Sequence, residues 1–277
     1  MSKKLVIIGY GSAGRRFAKL SKKHFKNFKI HIFTKQKKIG FPVIKNFRDI
    51  KKINPRYIIV SSPTRLHFKQ LKKINDNFKN ISILVEKPLF HEYRLIKKLN
   101  NRIYVGYNMR ILKIIKFLKS IIYSNKSKIY EIEFINHSYL PDWRKNINYS
   151  RSSSAKKKYG GGVILDCSHE LDLVNWLIGK IKLLKVISSK KSNLKIETED
   201  NCLIYGSHKK INVKVDLNYF TKKKKRLINI FGDNLRVNIN LISAKSLVAK
   251  NKKIVIKKFD KNELNNTYYL ELKDFLC

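Results

Sequence analysis

A chain of 277 residues with 43% apolar content is long enough for two domains and apolar enough to bury a core. It carries 62 Lys and Arg against 19 Asp and Glu, a formal net charge of +43 that would ordinarily point to nucleic acid or an anionic membrane surface. The lysines are dispersed along the whole chain beside abundant Ile and Asn, as AT-rich coding produces on solvated faces, so no specific nucleic-acid partner is expected and Lys156–Lys158 and Lys222–Lys225 read as exposed loops. No stretch approaches the roughly 18 consecutive apolar residues of a membrane span, and the apolar run before Gly9 is too short for a signal-peptide core. Cys167, Cys202 and Cys277 are far apart with no CxxC, which argues against a disulfide framework or a metal site and for free thiols in a cytoplasmic protein.

The first predicted element is the strand Leu5–Ile8. It runs into Gly9-Tyr10-Gly11-Ser12-Ala13-Gly14 and then a helical face of Phe17, Ala18 and Leu20. A GxGxxG between strand and helix suits a dinucleotide pyrophosphate: the first glycine permits a tight turn, the second lets phosphate approach backbone, and the third lets helix and strand pack closely, with the helix N-terminus facing the anion. The next strand, Lys29–Phe33, ends in Thr34-Lys35-Gln36-Lys37-Lys38. A NAD-binding half places an acid about 20 residues after the glycines to hold the ribose 2′-hydroxyl. No acid stands here, and Thr34 and Lys35 would attract a 2′-phosphate, so NADP(H) is expected over NAD(H).

Strand Tyr57–Ser61 closes in Ser61-Ser62-Pro63-Thr64, with His67 in the amphipathic segment Pro63–Phe78. Strand Ile81–Val85 closes in Glu86-Lys87-Pro88, and an amphipathic Glu92–Asn100 precedes strand Arg102–Gly106. Short strands alternating with helical segments predict an α/β, Rossmann-like doubly wound parallel sheet, with its ligands at the carboxyl ends of the strands. A lysine at that edge, Lys87, can reach the nicotinamide ribose and a substrate hydroxyl.

A helix predicted over Ile111–Tyr123 leads into a different pattern. Ile129–His137, Leu183–Ser189, Asn201–Gly206, Ile211–Tyr219, Arg226–Phe231 and Leu235–Asn240 alternate apolar and polar residues, with Gly232-Asp233-Asn234 as a turn, and predict an antiparallel sheet. One long helix, Gly162–Ile178, interrupts them and ends at Gly179. The domains are therefore expected at residues 1–118 and 119–277, joined by continuous helix. Gly160-Gly161-Gly162 precedes Asp166, His169 and Asp172, which fall three apart on one helical stripe. An imidazole beside a carboxylate can relay a proton near neutral pH, and the glycines permit close approach of a backbone or a ligand.

Together these segments resemble the Gfo/Idh/MocA family of NAD(P)-dependent sugar and polyol oxidoreductases over nearly the whole chain. The resemblance is carried by Gly9 to Gly14, Pro63-Thr64 with His67, Glu86-Lys87-Pro88, Gly106-Tyr107-Asn108-Met109-Arg110, and Gly160 through Asp172. Tyr139-Leu140-Pro141-Asp142-Trp143-Arg144, Tyr149 and Ser154-Ala155 look like a branch associated with surface-carbohydrate biosynthesis.

The resemblance implies a Rossmann domain followed by an α+β domain with an open-faced, largely antiparallel sheet, with the cofactor between them. It implies Lys87 as the catalytic lysine, Asp166 and His169 on the substrate side, and Arg110, Trp143 and Arg144 as further substrate contacts. Gly9, Tyr10, Gly11, Ser12, Ala13, Gly14, Thr34, Lys35, Ser61, Ser62, Pro63, Thr64, His67, Glu86 and Lys87 form the expected cofactor set. Two departures stand out. Asp166 and His169 are three apart where many members have four, and family chains usually continue past the helix that Asn266–Cys277 begins, which implies a shortened chain with the apolar face of Tyr268–Cys277 left open. The expected partner is a small sugar-like substrate, with copies of the chain associating through the C-terminal sheet. Two other readings of the fold are a cofactor-sensing interaction protein without catalysis and a hydrolase or eliminase that uses NAD transiently.

Overall fold

The computed structural model describes residues 3–144 and 148–277. The chain forms two compact units, one running to Asn108 and including Tyr268–Cys277, the other Met109–Thr267.

The first unit holds strands β1 (Lys3–Ile8), β2 (Phe28–Phe33), β3 (Val43–Ile44), β4 (Tyr57–Val60), β5 (Ser82–Val85) and β6 (Arg102–Val105). They pair in parallel in the order β3-β2-β1-β4-β5-β6, so the order reverses between β1 and β4. Because side chains alternate across a strand, each central strand feeds two cores. Leu5, Ile7, Ile32, Ile59 and Leu84 pack with Phe17 and Ala18 of α1 (Ser12–His24). Val6, Ile8, Ile58, Val60 and Ile83 pack with Ile50 of α2 (Phe47–Ile53) and with Leu71 and Ile74 of α3 (His67–Asn77).

Glu92–Asn100, expected as a crossover helix, is irregular. Its backbone is held from the side instead: the buried Asn75 amide donates to the Lys98 carbonyl and accepts from the Asn100 amide, both at 2.8 Å. The C-terminal segment returns to this unit, and its helix places Leu272, Phe275 and Leu276 in the core that α1 shares. The apolar face expected to lie open is therefore covered, with Phe275 edge-on to both Tyr57 and Tyr104.

In the second unit, α4 (Lys113–Ser124) precedes an eight-stranded sheet. Its strands are β7 (Ile129–Tyr139), β8 (Lys182–Ser189), β9 (Asn201–His208), β10 (Ile211–Asn218), β11 (Phe220–Gly232), β12 (Leu235–Asn240), β13 (Lys245–Lys250) and β14 (Lys253–Lys258). The order is β14-β13-β12-β11-β7-β10-β9-β8, parallel between β7 and β10 and antiparallel elsewhere. One face buries Ile132, Phe134, Val213 and Val215 with Ile115 and Leu118 of α4. The other face carries a polar lattice. There Glu133 accepts from Lys214 at 2.8 Å and from Asn229 at 2.9 Å, and His137 lies 2.9 Å from Asp216.

Four expectations change here. The helix of residues 113–124 lies wholly within the second unit rather than joining the two. The predicted helix Gly162–Ile178 is two, α5 (Val163–Asp166) and α6 (Ser168–Leu177), broken at Cys167. Lys222–Lys225 is strand rather than loop, because β11 begins at Phe220. β13 and β14 were not foreseen, since their lysines blur the alternation. α7 (Lys261–Asn265) and α8 (Thr267–Leu276) follow β14. Among the described residues no helix is long and apolar enough to cross a membrane.

Candidate active site

In the first unit the predicted cofactor segments gather at the strand-order reversal, where open parallel sheets bind ligands. Gly9 follows β1 with φ +94°. A Cβ on Gly14 would lie 2.2 Å from the Gly9 carbonyl oxygen and 2.8 Å from Ser61 Oγ, so only glycine lets α1 start this close to the turn. Gly11, the residue before α1, faces open space, with no atom within 4 Å of an added Cβ. The first-turn amides of α1 thus stand beside an accessible backbone with no acid in that turn, an arrangement that fits a pyrophosphate.

Several predicted contacts turn out to build the site. The buried Ser61 donates to the carbonyls of Ile8 and Gly9 at 3.2 Å, locking β4 to the glycine turn. Ser62 bonds to Gln70 at 2.5 Å. The ring nitrogens of buried His67 face the carbonyl oxygens of Ser62 at 2.8 Å and Pro88 at 3.1 Å, so His67 braces the two sheet-edge loops against each other. Burial lowers its pKa, against the opposing pull of those carbonyls. Tyr10 anchors outward through its hydroxyl to the Ile39 carbonyl, while its own carbonyl accepts from Arg15 and Gln36 at 3.2 Å. Ser12, Ala13, Pro63 and Thr64 stand at the same edge, Ser12 and Pro63 exposed and Ala13 and Thr64 partly so.

After β2 the Thr34 hydroxyl accepts from the Gln36 amide. Lys45 donates to the carbonyls of Thr34, Lys35 and Gln36 at 3.2, 3.0 and 2.9 Å, a clamp on this loop that no sequence spacing announced.

Glu86 and Lys87 follow β5 at the same edge. The Lys87 amide donates to the Glu86 carboxylate at 3.2 Å. Burial raises the Glu86 pKa, opposed by Lys87, a hydrogen bond from Tyr268 and Arg16. From α8, Glu271 approaches the same turn: a Cβ on Gly106 would lie 3.4 Å from Glu271 Oε1, Glu86 Cα and Lys87 N. Burial, with Glu86 and Asp274 nearby, pushes the Glu271 carboxyl up to about 8. Tyr268 and Glu271 were missed because the sequence gives no sign that α8 returns to this sheet.

In the second unit a cavity of about 460 Å³ is lined by Trp143, Arg144, Asp166 and His169, with Asn136, Ser138, Tyr139, Asp142, Cys167, Lys222, Lys224 and Arg226. Four predicted substrate residues thus meet at one wall. Arg110 is not among them, because its guanidinium makes a two-pronged pair with buried Asp172. Asp166 accepts from the hydroxyl of Tyr219, a fully buried residue whose pKa burial and Asp166 push well above its ordinary value. Trp143 packs edge-on against the Tyr219 ring at 5.2 Å. The stripe of Asp166, His169 and Asp172 is therefore divided: Asp166 and His169 face the cavity while Asp172 secures Arg110.

The triple glycine admits backbone, since a Cβ on Gly161 would lie 2.2 Å from the Ser153 carbonyl. Glu199 holds the start of α5, taking the Ile164 amide at 3.2 Å through its side chain and the Val163 amide at 3.2 Å through its carbonyl.

The model of an oxidoreductase family with a NAD-binding Rossmann fold matches residues 3–104, and that of the GFO/IDH/MocA C-terminal domain matches residues 125–238. A search of curated protein sequences finds no match. Among solved structures, the WlbA dehydrogenase of Bordetella pertussis, in complex with NADH and UDP-GlcNAcA, superposes with a TM-score of 0.75 at 17% identity over 99% of this chain and 86% of that one. A levoglucosan dehydrogenase in complex with NADH and levoglucosan gives 0.81 at 15% identity, over 99% and 89%. The myo-inositol 2-dehydrogenase of Lactobacillus plantarum gives 0.77 at 16%, over 100% and 88%. These likenesses establish the fold, a Rossmann unit followed by a largely antiparallel sheet. With two successive models of one family matched along most of its length, the chain belongs to the Gfo/Idh/MocA oxidoreductases, the enzyme class its sequence led us to expect.

Proposed function

We propose that the protein is an NAD(P)-dependent dehydrogenase or reductase that interconverts a CH–OH group and a carbonyl on a sugar, nucleotide sugar or polyol. The observation that carries this reading is the conjunction, at one sheet edge, of a glycine turn left open at Gly11 and a lysine just past the end of β5. The nicotinamide supplies the hydride chemistry when bound; the protein's part is binding, orientation and proton handling. Gly9 to Gly14 would hold the pyrophosphate, and Ser62 to Thr64 with Glu86 and Lys87 the nicotinamide ribose. Lys87 would take the hydroxyl proton on oxidation and return it on reduction, a role worth roughly 10²–10⁴-fold in rate. His169 would bind and polarise the substrate hydroxyl, with Asp166, fixed by Tyr219, aligned to accept from the substrate.

Within this reading NADP(H) is preferred. The loop after β2 offers no carboxylate, and Lys45, Lys35 and Arg15 make its surroundings cationic. The likeness to a UDP-GlcNAcA-bound dehydrogenase favours a nucleotide sugar, and the Tyr139–Arg144 stretch a place in surface-carbohydrate synthesis. The half-exposed polar face of the eight-stranded sheet is proposed to associate with a second copy, and the buried free cysteines Cys167 and Cys202 suit a reducing cytoplasm. The test is to incubate the protein with NADP⁺ or NAD⁺ and a panel of sugars, polyols and UDP-sugars and to follow reduced cofactor. Steady formation with at least one substrate is expected. Product without net cofactor turnover would favour the hydrolase or eliminase reading, and tight cofactor binding with no turnover on any substrate would favour the sensor.

A further inference from the structure

The run Lys222-Lys223-Lys224-Lys225 is the longest lysine run in the chain, and its position in β11 gives it two distinct faces. Side chains along a strand alternate between faces. Lys222, Lys224 and Arg226 line the cavity that contains His169, and Lys223 and Lys225 do not. Arg226 is matched by buried Glu170 at 2.7 Å. Among the described residues, neither Lys222 nor Lys224 pairs with a carboxylate. Arg144 adds a further cation to the same wall, and Lys222, Lys224 and Arg144 together outnumber its two carboxylates, Asp142 and Asp166. A concave site of about 460 Å³ that gathers unmatched ammonium groups beside a histidine concentrates anions within reach of that histidine.

We propose that Lys222 and Lys224 form an anion subsite that seats a carboxylate or phosphoryl group of the substrate, so that the protein acts on acidic or phosphorylated sugars in preference to neutral ones. The proposal rests on the dehydrogenase reading for the term substrate, but it is tested without turnover. The protein, saturated with NADPH, is titrated by calorimetry with glucuronate, glucose phosphate and glucose at fixed ionic strength. One anion is expected to bind more tightly than glucose, and which one it is distinguishes a carboxylate from a phosphoryl site. Lys222→Gln with Lys224→Gln should weaken that anion by about tenfold or more, the loss of one or two charge-assisted hydrogen bonds, and leave glucose unchanged. Lys223→Gln with Lys225→Gln removes the same charge from the other face of the strand and should change neither. Equal losses in the two double variants would reduce the effect to bulk charge and overturn the subsite, as would no preference for either anion over glucose. Failure of hydride transfer with the subsite intact would instead count against the dehydrogenase reading.

Discussion

An added methyl group at Gly14 would meet the Gly9 carbonyl at 2.2 Å, whereas one at Gly11 would meet nothing. The two glycines therefore separate folding from binding. Gly14→Ala should lower stability by about 1–3 kcal/mol, the cost of forcing α1 off the turn, and weaken NADPH with it. Gly11→Val should leave the melting temperature nearly unchanged and still weaken NADPH, because its side chain occupies the space the phosphate needs. Melting curves and fluorescence titrations on both variants check this. At Lys87, replacement by Met keeps the volume and removes the proton carrier, so kcat should fall by about 10²-fold or more with the NADPH dissociation constant little changed. Lys87, at the sheet edge of the first unit, and Asp166, His169, Trp143 and Arg144, at the cavity of the second, could be singled out in the sequence because each sits in a short motif. Tyr219, 53 residues from the carboxylate it holds, could not, and neither could Glu199, 35 residues from the amide it caps. Such partners are fixed only by sheet pairing, which local spacing does not encode.

The strands of the parallel sheet were readable because each is a short apolar run at a regular place in a βα pattern, and the alternating strands of the second unit because one face is buried and one is not. Elements failed where a tertiary contact replaced a local signal. Glu92–Asn100 has helical spacing, yet Asn75 holds its backbone open, while α8 packs on the opposite, α1-bearing face of the sheet. α8 also brings Glu271 against Glu86 with no cation paired to Glu271 among the described residues, which makes its contribution to stability pH-dependent. With a folded pKa raised from 4.5 to about 8, Glu271 stays protonated in the folded chain while the unfolded chain ionises. Its part of the stability is complete below pH 4.5, falls as pH rises toward about 8 and is level above that. The raised pKa of Glu86 acts in the same direction. Glu271→Gln should therefore raise the melting temperature at pH 9 relative to wild type and do little at pH 5; equal shifts at both would show that the carboxyl is not held protonated.

At the scale of the molecule, the charge of +43 invites a polyanion function, whereas the family match is to oxidoreductases. Screening weakens exposed charges most, so any binding to DNA should fall steeply with salt. NADPH held by the glycine turn and the loop after β2 should lose less. The cationic loop leads us to expect a smaller dissociation constant for NADPH than for NADH at equal ionic strength, and Lys35→Ala with Lys37→Ala should narrow the difference. The reverse order in wild type would remove the basis for the preference. The central claim, hydride transfer to a sugar carbon with Lys87 handling the proton, is tested most directly by isotope. With NADPH carrying deuterium at nicotinamide C4 and the carbonyl form of the best substrate in the panel, the account predicts deuterium on the new CH–OH carbon in wild type and at least about 10²-fold slower labelling in Lys87→Met. Reduced product without the label, or labelling at an undiminished rate in Lys87→Met, would contradict it.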